Sequence, residues 1–301
     1  MPSLLEISLV LVEFLPQVFL LYLILSLVEK SGLLYIVAHF LRLPIQNVLP
    51  VCLSFGCTTL AICAARENPS RNRLVYFLSF IPCTAQLPLI TFLLLSILRF
   101  PFWSVIILYL ACIIVGSLMI LFIPQNKTAI VYEPVKLHFP NLWDCLKDTL
   151  KQTLIFARKI FIAFVISAFV IVILARFSFD FRYVDDPKNS ILFAVCGVLS
   201  PIFAPIGLGE PAIICALIFG IIAKESAISV LLLFPQIITN LSLPIVLSLV
   251  VFYTFYPKCI SAQTAVCSNC NRKTSVKLFI TNLLVAYSLA FVVYRICGFF
   301  I

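Results

Sequence analysis

The chain of 301 residues is dominated by apolar side chains: 63% of its residues are hydrophobic and only 11% are charged. Because soluble domains carry about 25% charged residues, this composition excludes a soluble domain and predicts an all-α polytopic membrane protein. The net charge of +9 predicts no nucleic-acid partner, since Lys and Arg collect in the connections between apolar runs, as in cytoplasmic loops of membrane proteins.

Apolar runs predict about eight transmembrane helices, because about 20 apolar residues cross the hydrocarbon core of a bilayer. We place them at residues 4–28, 45–65, 74–98, 102–123, 160–174, 191–223, 226–256 and 279–297. Residues 125–159 form an amphipathic connection that we assign to the cytoplasmic surface. The run 191–223 is too long for one span, and its prolines and glycines predict two half-helices that face each other across residues 205–210.

Several of these runs carry a helix-disturbing residue close to a cysteine. We single out Gly56 with Cys57, Pro82 with Cys83, and Pro257 with Cys259. Broken backbone is tolerated at membrane depth only against other protein or a cavity, so these breaks predict the lining of a substrate path. A glycine-interrupted segment, a charged turn and a proline–cysteine break recur in both halves of the chain. This recurrence predicts a two-fold repeat with segments at about 45–123 and 191–260.

Polar residues near the breaks are candidates for capturing or gating a solute. They are Glu29, Gln86, Glu210, Lys224 and Glu225. The adjacent opposite charges of Lys224 and Glu225 predict either an ion pair at a helix end or a gate.

The chain has 12 cysteines, most of which we expect to be small core residues. Cys267 and Cys270 have the spacing of a metal or redox pair. A lone pair in a loop leaves that role open.

The order of these motifs resembles the membrane domain of the FeoB family of bacterial ferrous-iron transporters, which contains two Gate segments. The matching stretches are Phe14-Leu15-Pro16-Gln17, residues 27–32, residues 55–66, residues 82–88, residues 201–207, Ala223-Lys224-Glu225 and Cys259. They cover nearly the whole chain in the family's order. The resemblance therefore implies one FeoB-like transmembrane domain over residues 1–301, in a bacterial inner membrane.

The resemblance implies a permease rather than an enzyme, with Fe²⁺ as the transported substrate and no permanently bound cofactor. It implies that Fe²⁺ passes a constriction lined by Cys57, Cys83 and Cys259. The GTP-binding domain of the family is expected to be absent, since no Gly-x-x-x-x-Gly-Lys-Ser/Thr motif occurs in the chain. The expected partners are the lipid bilayer, a separate GTP-binding protein or small accessory protein, and further copies in a homo-oligomer.

Three departures from the family pattern keep other functions open. Thr58-Thr59-Leu60 replaces Asn-Val-Pro, Gln86 replaces an Arg, and Lys258 separates Pro257 from Cys259. One alternative is a carrier of another solute, such as a nucleoside or another divalent metal. A second is a non-transporting half of a split FeoB system, and a third is a membrane thiol oxidoreductase that uses Cys267 and Cys270.

Overall fold

A computed structural model describes most of the central and C-terminal chain. The described ranges are residues 45–121, 141–151, 190–224, 226–232, 234–239 and 241–300, with scattered residues at 16–31, 153–154 and 177. Within these ranges the secondary structure is helical, and no β-strand occurs in them. The predicted all-α class is therefore confirmed.

The first half of the described chain forms helices that are repeatedly interrupted. They are α1 (Ile45–Gly56), α2 (Thr58–Ala64), α3 (Arg71–Phe80), α4 (Leu87–Thr91, continued by a π-helix over Phe92–Ile97), α5 (Trp103–Leu121) and α6 (residues 142–151). Cys57 has extended backbone dihedrals, φ −136° and ψ 113°, and this single residue separates α1 from α2. Ile81, also extended, ends α3 just before Pro82.

The second half again contains short, interrupted helices and ends in one long helix. They are α7 (Ile191–Phe203), α8 (Pro211–Ile222), α9 (Ser226–Leu232), α10 (Pro235–Thr239), α11 (Leu243–Phe255), α12 (Ile260–Asn269) and α13 (Arg272–Phe300). Ala223 is extended, φ −140° and ψ 121°, and ends α8 as Cys57 ends α1. Tyr256 is extended and ends α11 just before Pro257.

The described helices include up to four candidates for crossing a membrane. Counted across their breaks, Arg71–Ile97, Leu243–Asn269 and Arg272–Phe299 are long and apolar enough to span. Phe193–Ile206 and Pro211–Ile222 form a fourth, bent by 99°, which confirms the two predicted half-helices. The count of eight spans is not confirmed, and the span predicted at 160–174 lies outside the described residues.

One predicted span has the wrong bounds. Residues 226–256 do not form one helix but three, and α11 instead continues across its break into α12. The reason is that Pro235 and Pro244 lie in the first turn of α10 and α11. Proline lacks the N–H that a helix interior needs, but in the first turn that N–H has no helical partner anyway.

Side-chain hydroxyls satisfy the backbone carbonyls at the bend between α7 and α8. Tyr287 donates to the Ile202 carbonyl at 2.9 Å, Ser248 donates to the Ile206 carbonyl at 2.6 Å, and Ser200 donates to the Gly209 carbonyl. Gly207 has φ +77°, and its Cα packs so closely on Tyr294 that a methyl group would overlap the ring. These bonds let a sharp bend exist within an apolar environment.

Helix α6 buries Cys145 and Thr149, whereas Leu142 and Trp143 on the same helix are exposed. An ion pair joins its Asp148 to Lys30, with 2.5 Å between carboxylate and ammonium. The helix is amphipathic in outline, and its assignment to the cytoplasmic surface stays a prediction.

The chain divides into two compact units. The first unit comprises Met1–Thr84, Ile113–Ala163 and Ser261–Ser275, and the second comprises Ala85–Cys112, Phe164–Ile260 and Val276–Ile301. Each unit contains one helical hairpin, α1–α2 or α8–α9. Each unit also takes one segment of the broken span Arg71–Ile97 and one segment of the broken span Leu243–Asn269. The two-fold repeat over residues 45–123 and 191–260 stays a prediction.

Candidate functional site

The first unit contains a junction of two broken segments, which we name the first junction: Gly56, Cys57, Cys83 and Thr84. Thr84 donates its hydroxyl to the Gly56 carbonyl at 2.8 Å, so the bond joins the residue before Cys57 to the residue after Cys83. Cys83 is buried with 7% of its surface exposed, and Cys57 is half-buried. The two thiols thus belong to one arrangement of uncoiled backbone.

Helix α12 packs within the same unit through polar contacts. The hydroxyls of Thr59 and Ser261 lie 3.1 Å apart, and the Asn269 amide donates to the Ile62 carbonyl at 2.8 Å. Hydrogen bonds to backbone carbonyls fix helices whose apolar faces alone give little directional preference. They hold the short α2 beside Cys57 in a defined position.

The second unit contains the corresponding junction, which we name the second junction: Gln86, Lys224, Tyr253, Tyr256, Pro257 and Lys258. Lys224 is 2% exposed, and its ammonium donates to the Pro257 carbonyl at 2.8 Å. The same nitrogen lies 3.3 Å from the centroid of the Tyr256 ring and 5.4 Å from that of Tyr253. A cation over desolvated aromatic faces gains on the order of 2 kcal/mol, which helps to offset the burial of the charge.

Gln86 and Lys258 complete the second junction. Both are almost fully buried, at 0% and 2% exposure. The Gln86 amide nitrogen donates to the Tyr253 carbonyl at 2.7 Å, while the Lys258 ammonium donates to the Gln86 amide oxygen at 3.1 Å. The second junction therefore holds two lysines in a buried hydrogen-bonded network.

A glycine lets the second junction close tightly. Gly220, on α8, lies against Tyr256, and a methyl group added there would overlap the Tyr256 hydroxyl oxygen. The rings of Tyr253 and Tyr256 stack with centroids 5.3 Å apart. The Tyr253 hydroxyl donates to the Lys224 carbonyl, so the break after α8 and the end of α11 are tied together in both directions.

The structure distributes the residues predicted to form the metal constriction over the two units. Cys57 and Cys83 belong to the first unit, and Cys259, half-buried, belongs to the second. Within the described residues, no group of three or more His, Cys, Asp or Glu side chains has the arrangement of a metal site. The three-cysteine constriction stays a prediction.

The candidates for gating fall in different places. Gln86 and Lys224 come together in the second junction. Glu210 is exposed and precedes α8, where its carbonyl accepts from the Ile213 amide. Glu29 and Glu225 lie outside the residues whose side chains the structure describes.

Cys267 and Cys270 are half-buried at the end of α12. Burial raises the pKa of the Cys270 thiol, an effect that the nearby Arg71 partly opposes. A raised pKa lowers the thiolate fraction at neutral pH, and the thiolate is the reactive and metal-binding form. A redox or metal role for Cys267 and Cys270 stays an open alternative.

Sequence reasoning missed the aromatic part of the second junction. Tyr253 and Tyr256 stand at helical i, i+3 spacing, which is a signal that two rings share a face. The partner cation, Lys224, lies about thirty residues earlier, and no local pattern links it to them. From the sequence, Lys258 stands out only as a departure from the FeoB pattern.

The fold and the two junctions define an α-helical integral membrane protein whose apolar helices break at paired positions. Over 237 residues the chain is 27% identical to the Fe(2+) transporter FeoB of Escherichia coli K12, and 26% identical to that of Salmonella typhimurium LT2. The match covers 72% of this chain but only 30% of each relative, so the chain spans under a third of their length. No family model and no solved structure matches the chain.

These relatives confirm the resemblance to FeoB that the motifs predicted. The predicted multi-pass location in a bacterial inner membrane is confirmed as well, since the relatives are bacterial transporters and several described helices can span a bilayer.

Proposed function

We propose that this chain forms the membrane pathway of a ferrous-iron transporter. The observation that carries the proposal is the coincidence of two independent features. The stretches that resemble FeoB include sites where the helices break, at Cys57, at Pro82-Cys83, at residues 204–207 and at Ala223. The relatives named above are Fe(2+) transporters, and uncoiled backbone within membrane helices is typical of transport sites.

The chemistry of the breaks suits a soft divalent cation. An ion that crosses hydrocarbon must exchange its water shell for protein ligands, and thiolates select iron, copper(I) and zinc over magnesium and calcium. Cys57 and Cys83 of the first junction offer two thiols beside uncoiled carbonyls. Cys259 follows directly on the second junction and supplies the third thiol of the proposed path.

The membrane potential is a sufficient driving force for inward movement of Fe²⁺. A unit charge gains roughly 2.3 kcal/mol per 100 mV, so a divalent ion gains about twice as much. Under this proposal a GTP-binding partner regulates the pathway, and Gln86, Glu210 and Lys224, with Glu29 and Glu225, act in capture or gating.

The test is Fe²⁺ uptake into proteoliposomes under an inside-negative potential, with ascorbate present to keep the iron reduced. We expect Cys57→Ser and Cys83→Ser to lower the rate at least tenfold, and Cys259→Ser to lower it less. Cys52→Ser is the matched control, because Cys52 is exposed on α1 and outside either junction. Uptake that is unchanged in both first-junction variants would exclude the thiol path.

Two additions to the same assay separate the alternatives. Uridine in excess should leave Fe²⁺ uptake unchanged, whereas strong competition would favour a nucleoside carrier. If uptake occurs only with a separate GTP-binding protein and GTP, the chain is one half of a split system. If no uptake occurs under any of these conditions, the transport proposal is wrong.

A further inference from the structure

The second junction presents an unusual placement of charge. Lys224 lies where α8 ends and α9 has not yet begun, within an apolar environment, and it is 2% exposed. Burial of an ammonium group is costly unless hydrogen bonds and electrostatic partners replace the lost water. The contacts of the Lys224 nitrogen must therefore replace the water that it loses on burial.

Those contacts are the contacts of a cation-binding site. The Pro257 carbonyl accepts a hydrogen bond from the nitrogen at 2.8 Å, and the face of Tyr256 lies beneath it at 3.3 Å from the ring centroid. Tyr253, stacked on Tyr256, adds a second aromatic face. Aromatic faces combined with a carbonyl oxygen are the groups by which proteins recognise alkylammonium ions.

The position of the site on its helix reinforces this interpretation. Helix α11 ends at Phe255, and the chain is uncoiled from Tyr256 before α12 begins. The C-terminal end of a helix carries partial negative charge and stabilises cations. In transporters with broken helices, such half-helix ends and uncoiled carbonyls bind the coupling cation.

We propose that Lys224 is a tethered monovalent cation. Its ammonium group fills a cation site formed by the Pro257 carbonyl and the faces of Tyr256 and Tyr253. The Lys224 ammonium thereby stabilises the partial negative charge at the C-terminal end of α11, and no free cation from solution is needed there. The ligand class of the site is a primary alkylammonium ion, and the inference holds whichever solute the protein carries.

Chemical rescue tests the proposal without any transport assay. Lys224→Ala removes three carbons and the ammonium group, which together correspond to n-propylammonium. We expect this variant, purified in detergent, to unfold at a lower temperature than the wild-type chain. Addition of n-propylammonium chloride should restore most of the loss, whereas n-propanol, or sodium chloride at equal ionic strength, should not.

Two further variants test which groups form the site. In the Lys224→Ala background, Tyr256→Phe keeps the aromatic face and should keep the rescue, while Tyr256→Leu should abolish it. Lys277→Ala is the matched control, because Lys277 is exposed on α13 and its variant should neither lose stability nor respond to the amine.

A variant that cannot be purified does not end the test, since Lys224→Met keeps an unbranched apolar side chain of nearly the same length and removes the ammonium group. If Lys224→Met is as stable as the wild-type chain, the positive charge has no role and the proposal is wrong. Equal rescue by n-propanol and by n-propylammonium would also overturn the proposal. It would show that filling the cavity restores stability and that the positive charge contributes nothing. Iron uptake is not measured, so failure here leaves the transport proposal intact.

Discussion

The two junctions have the same backbone plan but different chemistry. In each, an extended residue ends the first helix of a hairpin, Cys57 in one and Ala223 in the other. In each, a hydrogen bond to a backbone carbonyl joins two breaks, donated by Thr84 to Gly56 or by Lys224 to Pro257. The first junction adds two thiols and the second adds two buried lysines. The two junctions are therefore alike in how the backbone uncoils, while single side chains decide what each uncoiled site can hold.

The charge difference bears directly on a cation path. The buried ammonium groups of Lys224 and Lys258 repel an approaching divalent ion, since charges are weakly screened in a low-dielectric interior. The thiols of the first junction have the opposite effect when they ionise. Under the transport proposal, this comparison predicts metal capture at the first junction and gating at the second.

The largest expected effect is a loss of unfolding free energy when the hydrogen bonds of the second junction are removed. The same loss should be smaller at the first junction. Gln86→Leu removes the donor to the buried Tyr253 carbonyl and the acceptor of Lys258. Each buried group that loses its hydrogen bond costs about 1–3 kcal/mol. Thr84→Val is the first-junction counterpart, and because Thr84 is exposed we expect a loss of only about 0.5–1.5 kcal/mol. Denaturant unfolding in mixed micelles measures both.

A double-mutant cycle makes this result specific. Lys258→Met combined with Gln86→Leu should cost less than the sum of the single variants, since the double variant no longer buries a lysine that has lost its Gln86 contact. Coupling of about 0.5–3 kcal/mol is typical of residues in one network. Additive effects would mean that the two side chains act separately, contrary to the network described here.

An intermediate effect is expected from Gly220→Ala, which tests how tightly the second junction is packed. The added methyl group overlaps the Tyr256 hydroxyl, and overpacking of this kind costs about 1–3 kcal/mol. Gly197→Ala is the control, because Gly197 lies on α7 with open space around it and should gain about 1 kcal/mol of helix propensity. Equal unfolding midpoints for the two alanine variants would contradict the close packing of Tyr256.

The smallest effect concerns a charge pair that is not buried. A hydrogen bond from Lys30 lowers the pKa of Asp148, and the same bond raises the pKa of Lys30. The pair's contribution to stability is therefore lost as pH falls through the lowered pKa of Asp148, and as it rises through the raised pKa of Lys30. Asp148→Asn should change the unfolding midpoint near pH 7 far less than Gln86→Leu does, because exposed pairs contribute little. Equal changes in the unfolding midpoint for Asp148→Asn and Gln86→Leu would contradict this expectation. They would mean that the partner of Lys30 contributes as much stability as the partner of the buried Lys258.

Much of the fold could be predicted from residues that disturb helices. Pro82 and Gly56-Cys57 were predicted to interrupt their spans, and α3 ends at Phe80 while α1 ends at Gly56. The bend over residues 205–210 was likewise predicted from its prolines and glycines. Such residues act through local backbone geometry, which a sequence records directly.

The content of the second junction could not be predicted in the same way. Gln86 contacts Tyr253 and Lys258 across more than 160 residues of sequence, and Lys224 contacts Tyr256 from a different helix. These contacts depend on tertiary packing, and the apolar periodicity of a membrane helix carries little information about its neighbours. The bounds of the span 226–256 failed for a related reason, since prolines in a first turn do not resemble prolines in a helix interior.

The π-helix at Phe92–Ile97 has a consequence for how the sequence can change. In a π-helix each turn holds about one residue more than in an α-helix, and here the Leu98 amide bonds back to the Leu93 carbonyl at 3.1 Å. The segment thus stores one surplus residue within a span. Loss of that residue would turn the π-helix into ordinary α-helix. The flanking helices would still present the same faces to their neighbours. This stretch is therefore a place where the chain can shorten by one residue without repacking its neighbours.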